Sequence, residues 1–130
     1  MNSNRRPFVA GNWKLHLTVA QSVKLVRQLK SALAGAHDTQ VGVAPVATSL
    51  QSVAEALEGS GIAVIAQNMH WEDRGAFTGE LSAPLLKDVG VTHVILGHSE
   101  RRHVFGESDA DIQKKVAGAG PWSGADPLRG

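Results

Sequence analysis

Four short apolar runs limit what this chain can fold into: Phe8-Val9-Ala10, Val41-Gly42-Val43-Ala44, Ile62-Ala63-Val64-Ile65-Ala66 and Val94-Ile95-Leu96. Each is continuous rather than alternating, which is the pattern of strands buried on both faces of a parallel sheet. Between them the apolar spacing turns helical. Val19, Val23, Val26, Leu29 and Leu33 recur at intervals of three and four, behind a capping-box pattern, Thr18-Val19-Ala20-Gln21. Thr48-Ser49-Leu50-Gln51 opens a second helix in the same way, with Leu50, Val53 and Leu57 on its apolar face and Gly59 or Gly61 at its end. A third starts near Ser82, has Pro84 in its first turn and stops at Gly90. A fourth includes Asp111 to Ala117.

This order is β-α repeated four times, and right-handed crossovers make it one parallel sheet. The fold class is α/β. Periodicity leaves two architectures open: a doubly wound open sheet, or half of a (β/α)8 barrel, which needs about 250 residues where this chain has 130. The rhythm breaks at the end. After Lys114-Lys115-Val116 a fifth strand is due, but Ala117 to Gly130 holds four Gly, two Pro and an isolated Trp122. The expected organisation is a partial barrel domain over 1–117 and a disordered, non-matching tail over 118–130, as from a premature end or a frameshift.

Composition narrows the function classes. A net charge of +1 gives no electrostatic footprint for nucleic acid or an acidic membrane surface. The absence of Cys removes disulfides, thiolate nucleophiles and Cys-based metal sites. No run reaches the ~18 apolar residues of a membrane span, and Arg5-Arg6 precede no signal-length apolar segment. A cytoplasmic location is the expectation.

In parallel α/β sheets, ligands bind beyond the carboxyl ends of the strands. The polar residues there are Asn12 and Lys14, Gln67 and Asn68, and His98. Singly, each has a plain explanation: a solvated lysine, Asn residues in turns, a capping histidine. Their convergence on one rim makes them candidates, and they lie in recognisable strings: Gly11-Asn12-Trp13-Lys14, Ala66-Gln67-Asn68, Gly75-Ala76-Phe77-Thr78-Gly79-Glu80, Gly97-His98-Ser99-Glu100-Arg101-Arg102 and Phe105-Gly106-Glu107. In order and spacing, this set resembles the N-terminal half of the triosephosphate isomerase family, from about Pro7 to Val116.

The resemblance implies the half-barrel, about four βα units of a (β/α)8 TIM barrel. It also implies an isomerase of glycolysis and gluconeogenesis that interconverts dihydroxyacetone phosphate and glyceraldehyde 3-phosphate without cofactor or metal. Asn12 and Lys14 match the substrate-binding pair, Lys14 being catalytic as well. His98 matches the electrophile that polarises the carbonyl. The family is one in which this imidazole is held neutral by a helix N-terminus, and a helix beginning at Ser99 or Glu100 would disfavour a second proton on the ring. Glu100 matches a supporting acid near Lys14, not the general base. Thr78, Glu80 and Arg101 match a homodimer interface in which a loop, here His70 to Glu80, reaches the partner's site. Glu80 is then a partner for Arg101 or Arg102 at that interface, or these charges are simple surface ion pairs, while Glu107 is structural. Leu15-His16 departs from the family's usual Met-Asn. The general base, the closing lid and the Gly-rich phosphate loops belong to the family's second half and have no counterpart in this sequence. The expectation is a truncated chain inactive alone. The alternatives are a non-catalytic fragment that self-associates or aggregates through its exposed fourth strand, an interaction module that pairs with itself or a complementary half, and a different (β/α)8 sugar-phosphate isomerase.

Overall fold

The computed structural model describes residues 6–36, 38–120 and 127–128. Strand β1 (Phe8–Asn12) leads to helix α1 (Val19–Ala32), β2 (Gln40–Ala44), a 3₁₀ turn (Ala47–Ser49) and α2 (Leu50–Ala56). Then follow β3 (Ala63–Ala66), α3 (Ala83–Asp88), β4 (His93–Ile95), α4 (Ser99–His103), α5 (Asp109–Ala119) and β5 (Pro127–Leu128). The strands pair in sequence order, β1-β2-β3-β4-β5, all parallel.

Curvature separates the two architectures that periodicity leaves open. In a flat sheet β1 and β4 lie about 14 Å apart. Here the rings of Phe8 on β1 and His93 on β4 have centroids 5.1 Å apart. The sheet therefore curls like part of a barrel, and Phe8 covers a small inner cluster of Ala44, Ile65 and Ile95. The outer face carries the main core, where Val43, Val64 and Val94 meet Val26 of α1, Leu50 and Val53 of α2, and Leu86 of α3.

Local signals explain most element starts. Thr18 caps α1 as its sequence suggests: Gln21 N–H donates to Thr18 Oγ1 (3.3 Å) and Thr18 N–H to Gln21 Oε1 (3.0 Å). The matching pattern at Thr48 does not form a box. Thr48 is already wound into the 3₁₀ turn, and Ser49, at the N-cap of α2, has φ −105° and ψ −5° and makes no side-chain cap bond. An N-cap needs extended backbone, so Ser49 turns inward and accepts a hydrogen bond from the buried Ser22 hydroxyl (3.4 Å). The β1 expectation is also corrected. Among the described residues β1 pairs with β2 alone, and Val9 is 58% exposed rather than buried on both faces.

Helix α5 runs past the expected boundary at Ala117 to Ala119, and Pro127–Leu128 adds a parallel pairing to β4. The other residues expected in the tail after position 120 lie outside the described residues. Gly118 has a packing reason to be glycine: a Cβ there would sit 2.9 Å from Trp71 O and 3.2 Å from Trp71 Cα. On an open helix, Gly→Ala stabilises by about 0.5–1 kcal/mol. Gly118→Ala is expected to lower the melting temperature instead, because the obstacle is backbone. A raised melting temperature would refute this packing.

Ser108 and Asp111 form a second capping box, with Ser108 N–H donating to Asp111 Oδ2 (3.3 Å) and Asp111 N–H to Ser108 Oγ (3.2 Å). The Ser108 backbone N–H, and then its side chain, hold the Asp111 carboxyl below the ordinary carboxylate value. Burial opposes this, and Lys114 and Lys115 add to it. A carboxyl depressed in the folded state stabilises fully above its unfolded value of about 4 and loses that contribution as pH falls through the lower folded value. The melting-temperature gap between the natural chain and Asp111→Asn is therefore expected to be full at neutral pH and to close in acid. A gap that persists unchanged in acid would assign the effect to something other than this charge. Among the described residues, no helix is long and apolar enough to cross a membrane.

Candidate active site

The carboxyl ends of β1, β3 and β4 carry the candidate residues to one cleft. Its volume is about 290 Å³ and its lining includes Asn12, Lys14, Gln67, Asn68, His98, Glu100 and Arg101. A larger cavity of about 440 Å³ lies at the opposite end of the sheet, against the starts of β3 and β4 and the acids Glu55, Glu58 and Asp88. The smaller one is the better candidate, because strand-end loops converge there and it holds cationic side chains, an imidazole and a carboxylate.

Backbone geometry places Lys14. Asn12 Oδ1 accepts the Lys14 N–H (2.9 Å), a turn that asparagine closes with its own side chain. Lys14 has φ +55°, a left-handed conformation costing a non-glycine residue about 1–2 kcal/mol. The Gln67 amide offsets part of this by donating to Lys14 O (2.8 Å) and Ala44 O (2.9 Å). Gln67 thus ties the β1 loop to the ends of β2 and β3. Strand-end position and the Ala66-Gln67-Asn68 string made Gln67 a candidate; its partner, a backbone carbonyl 53 residues away, has no local signal. Gln67→Ala is expected to weaken ligand binding through Lys14 and to release the strain. Proteolysis within residues 12–17 is expected to rise with it; an unchanged cleavage rate would show the loop held by other means.

His98 sits at the N-cap of α4, after Gly97, whose φ of +71° makes the turn from β4 possible. His98 Nδ1 accepts the Glu100 N–H (3.1 Å). That bond uses the lone pair at Nδ1, which leaves Nε2 as the ring's donor atom. The Glu100 Oε1 atom is 3.7 Å from Nδ1, too far for a hydrogen bond. Glu100 Oε2 instead pairs with Lys14 Nζ (3.2 Å), with both side chains about half exposed. An ion pair that open contributes little to stability, and an incoming anion can compete for Lys14. Arg102 Nε closes the turn from behind by donating to Gly97 O (3.0 Å).

The expected interface residues divide. Arg101 lines the cleft, donates through Nε to Glu107 Oε2 (3.2 Å) and lies over the Phe105 ring (4.8 Å). Thr78 and Glu80 do not line it. Both are exposed on the loop before α3, where Glu80 Oε1 lies 3.8 Å from His70 Nδ1. Glu80 therefore faces His70 within this chain, while Arg101 pairs with Glu107 and Arg102 with Asp109. Glu107, expected to be structural, is enclosed. Its side chain is 4% exposed, and Oε2 accepts from both Arg101 and Lys115. Lys115 escaped sequence reasoning. It is 4% exposed, and its only advance signal was a charge on the stripe formed by Ile112 and Ala119. Among the described residues, no cluster of His, Asp and Glu is arranged to hold a metal.

Comparisons with known proteins agree on one family. The sequence model described as triosephosphate isomerase matches residues 7–121. Triosephosphate isomerase of Pelobacter propionicus is 51% identical over 115 residues, 88% of this chain and 46% of that protein. The enzyme of that name from Syntrophotalea carbinolica is 58% identical over 112 residues, 86% of this chain and 44% of that protein. The crystal structure of triosephosphate isomerase from Bartonella henselae superposes with a TM-score of 0.87 at 38% identity, covering 96% of this chain and 51% of that one. The chain spans about half the length of the relatives it matches.

Proposed function

We propose a function from the premise that this chain belongs to the triosephosphate isomerase family: it contributes the electrophilic and anion-binding half of a site that interconverts dihydroxyacetone phosphate and glyceraldehyde 3-phosphate. The observation that carries this reading is the hydrogen bond from the Glu100 N–H to His98 Nδ1. With Nδ1 occupied by the Glu100 N–H, Nε2–H is the ring's donor, and a neutral imidazole N–H can polarise a carbonyl and pass a proton between adjacent oxygens.

Lys14 supplies the positive charge for the phosphate and for the developing enediolate oxygen. The Asn12 amide has its oxygen engaged with the Lys14 N–H, which leaves its NH₂ as the free end for substrate. Glu100 holds Lys14 until substrate arrives. Isomerisation also needs a base to remove the proton beside the carbonyl. Glu100 is the sole carboxylate lining the cleft among the described residues, and the family resemblance gives it a supporting role beside Lys14 rather than that of the base. The 130-residue chain alone is therefore inactive in this reading, and a complementary half completes the site.

A homodimer in the cytoplasm fits the same reading. Leu15, Val104 and Phe105 are 89%, 70% and 67% exposed around the cleft, and Phe77, beside Thr78, is 41% exposed. Apolar side chains so placed suit a surface that another protein covers, with Thr78, Glu80 and Arg101 at its polar rim. The same exposure supports a second reading, a non-catalytic fragment that self-associates without turnover. Sedimentation velocity with a Phe77→Asp, Phe105→Asp variant addresses the surface. A monomeric variant beside a dimeric natural chain supports it, and an unchanged sedimentation coefficient removes it. A coupled assay for glyceraldehyde 3-phosphate separates the two readings.

A further inference from the structure

We propose that Arg102 is a positioning residue for His98: its guanidinium ties the turn before the imidazole to the start of α5, and so sets the orientation of the ring. The inference rests on the role proposed for His98, but it concerns a side chain that does not line the cleft.

Helix α4 cannot place His98 by itself. It has five residues, and none of them is buried. A helix that short is not stable alone, so its hold must come from contacts with the rest of the chain. The turn leading into it is just as free, because Gly97 has no Cβ and stands at φ +71°. The ring depends on both. His98 Nδ1 meets the Glu100 N–H (3.1 Å) only while the Gly97–His98 peptide and the first turn of α4 keep their relative geometry.

Arg102 supplies the tie. Its Nε donates to Gly97 O (3.0 Å), and its backbone N–H donates to His98 O (3.2 Å). Those carbonyls flank the His98 Cα, so the two bonds restrain the backbone on either side of the imidazole. Arg102 Nη1 continues to Asp109 Oδ1 on the first residue of α5, a helix anchored by the buried Ile112. Arg102 Nη2 and Ile112 Cδ1 lie 3.2 and 3.4 Å from where a Cβ on Gly97 would stand, so both rest against the turn. The planar guanidinium can span two acceptors in a fixed geometry, which a lysine ammonium cannot reproduce. The Arg102–Asp109 pair is open, with side chains 37% and 83% exposed, and contributes little to stability. Its main effect falls on orientation.

The test uses ¹⁵N NMR on the 130-residue chain, reading the ring nitrogens of His98 and the hydrogen exchange of the Glu100 N–H. In the natural chain His98 Nδ1 is expected to show the shift of a hydrogen-bonded acceptor. In Arg102→Met that signal is expected to move toward a free imidazole nitrogen while the urea midpoint stays nearly unchanged. Exchange of the Glu100 N–H is expected to quicken at least about tenfold in the same variant, the factor for one ordinary hydrogen bond. Arg102→Lys should restore part of both signals. Asp109→Ala frees only the far end of the guanidinium and should act in the same direction to a smaller extent. Asp111→Asn loosens the start of α5 without touching Arg102, and should leave both signals in place. Unchanged signals in Arg102→Met, or in Asp109→Ala should Arg102→Met fail to fold, overturn the proposal. So does an Asp111→Asn change as large as that of Arg102→Met, which would make the effect a general loosening of α5. These signals are read without substrate, so turnover measured in parallel judges the isomerase reading separately.

Discussion

Lys115→Met alone is expected to cost about 3 kcal/mol of folding stability, read as a fall in the urea midpoint. The substitution leaves Glu107, with a side chain 4% exposed, without its closest cation. Removing one partner of a buried ion pair costs about 3–5 kcal/mol, because the charge left behind has lost its water as well as its partner. The low end applies here because Arg101 still donates to Glu107 Oε2 at 3.2 Å. Against a total of about 5–15 kcal/mol for an ordinary domain, the loss is large. The paired change Glu107→Gln/Lys115→Met is expected to recover most of it, since replacing both charges together is often close to neutral. A single variant as stable as the natural chain would mean that the pair is solvated in solution and that α5 does not enclose it.

Once the site is complete, His98→Gln is expected to lower kcat by about 10²–10⁴, the range for loss of a positioned proton donor. The assembly for this measurement is the present chain mixed with the portion of the Pelobacter propionicus relative that lies beyond its matched segment. Glutamine keeps a neutral N–H but cannot hold it where the Glu100 N–H fixes the imidazole. Lys14→Met is expected to act differently. It removes a charge that meets the substrate's phosphate before any reaction, so KM rises as well as kcat falling. If His98→Gln raised KM with kcat intact, His98 would be a binding group and the electrophile would lie elsewhere.

What the sequence made legible was local or set by strand ends. The Thr18 box forms because both its partners lie within four residues and α1 is the only structure they can cap. His98 was visible because a glycine-ended apolar run followed by a helix start leaves few places for an imidazole. The Thr48 pattern, identical in type, failed because a 3₁₀ turn takes up Thr48 before α2 begins. Strand runs could not report curvature, since β-α units build open sheets and barrels alike; that depended on Phe8 meeting His93 across the sheet. Val9 reads as buried in a parallel strand, and only the pairing order makes β1 an edge among the described residues. Lys115 was least legible. A lysine near a helix end reads as a solvated charge, and what encloses it is Asn68, 47 residues earlier, together with Glu107.

In the proposed reading this chain holds an electrophile and an anion site but, among the described residues, no free base in the cleft. The most direct measurement is turnover of glyceraldehyde 3-phosphate by the purified 130-residue chain, alone and mixed with the complementary half, in an assay coupled to glycerol phosphate formation. The expected result is no turnover above the uncatalysed rate for the chain alone, and turnover on mixing that is lost in His98→Gln. A turnover number for the chain alone equal to that of the full-length Pelobacter propionicus enzyme would contradict this reading, which gives Glu100 a supporting role and finds no other carboxylate lining the cleft among the described residues.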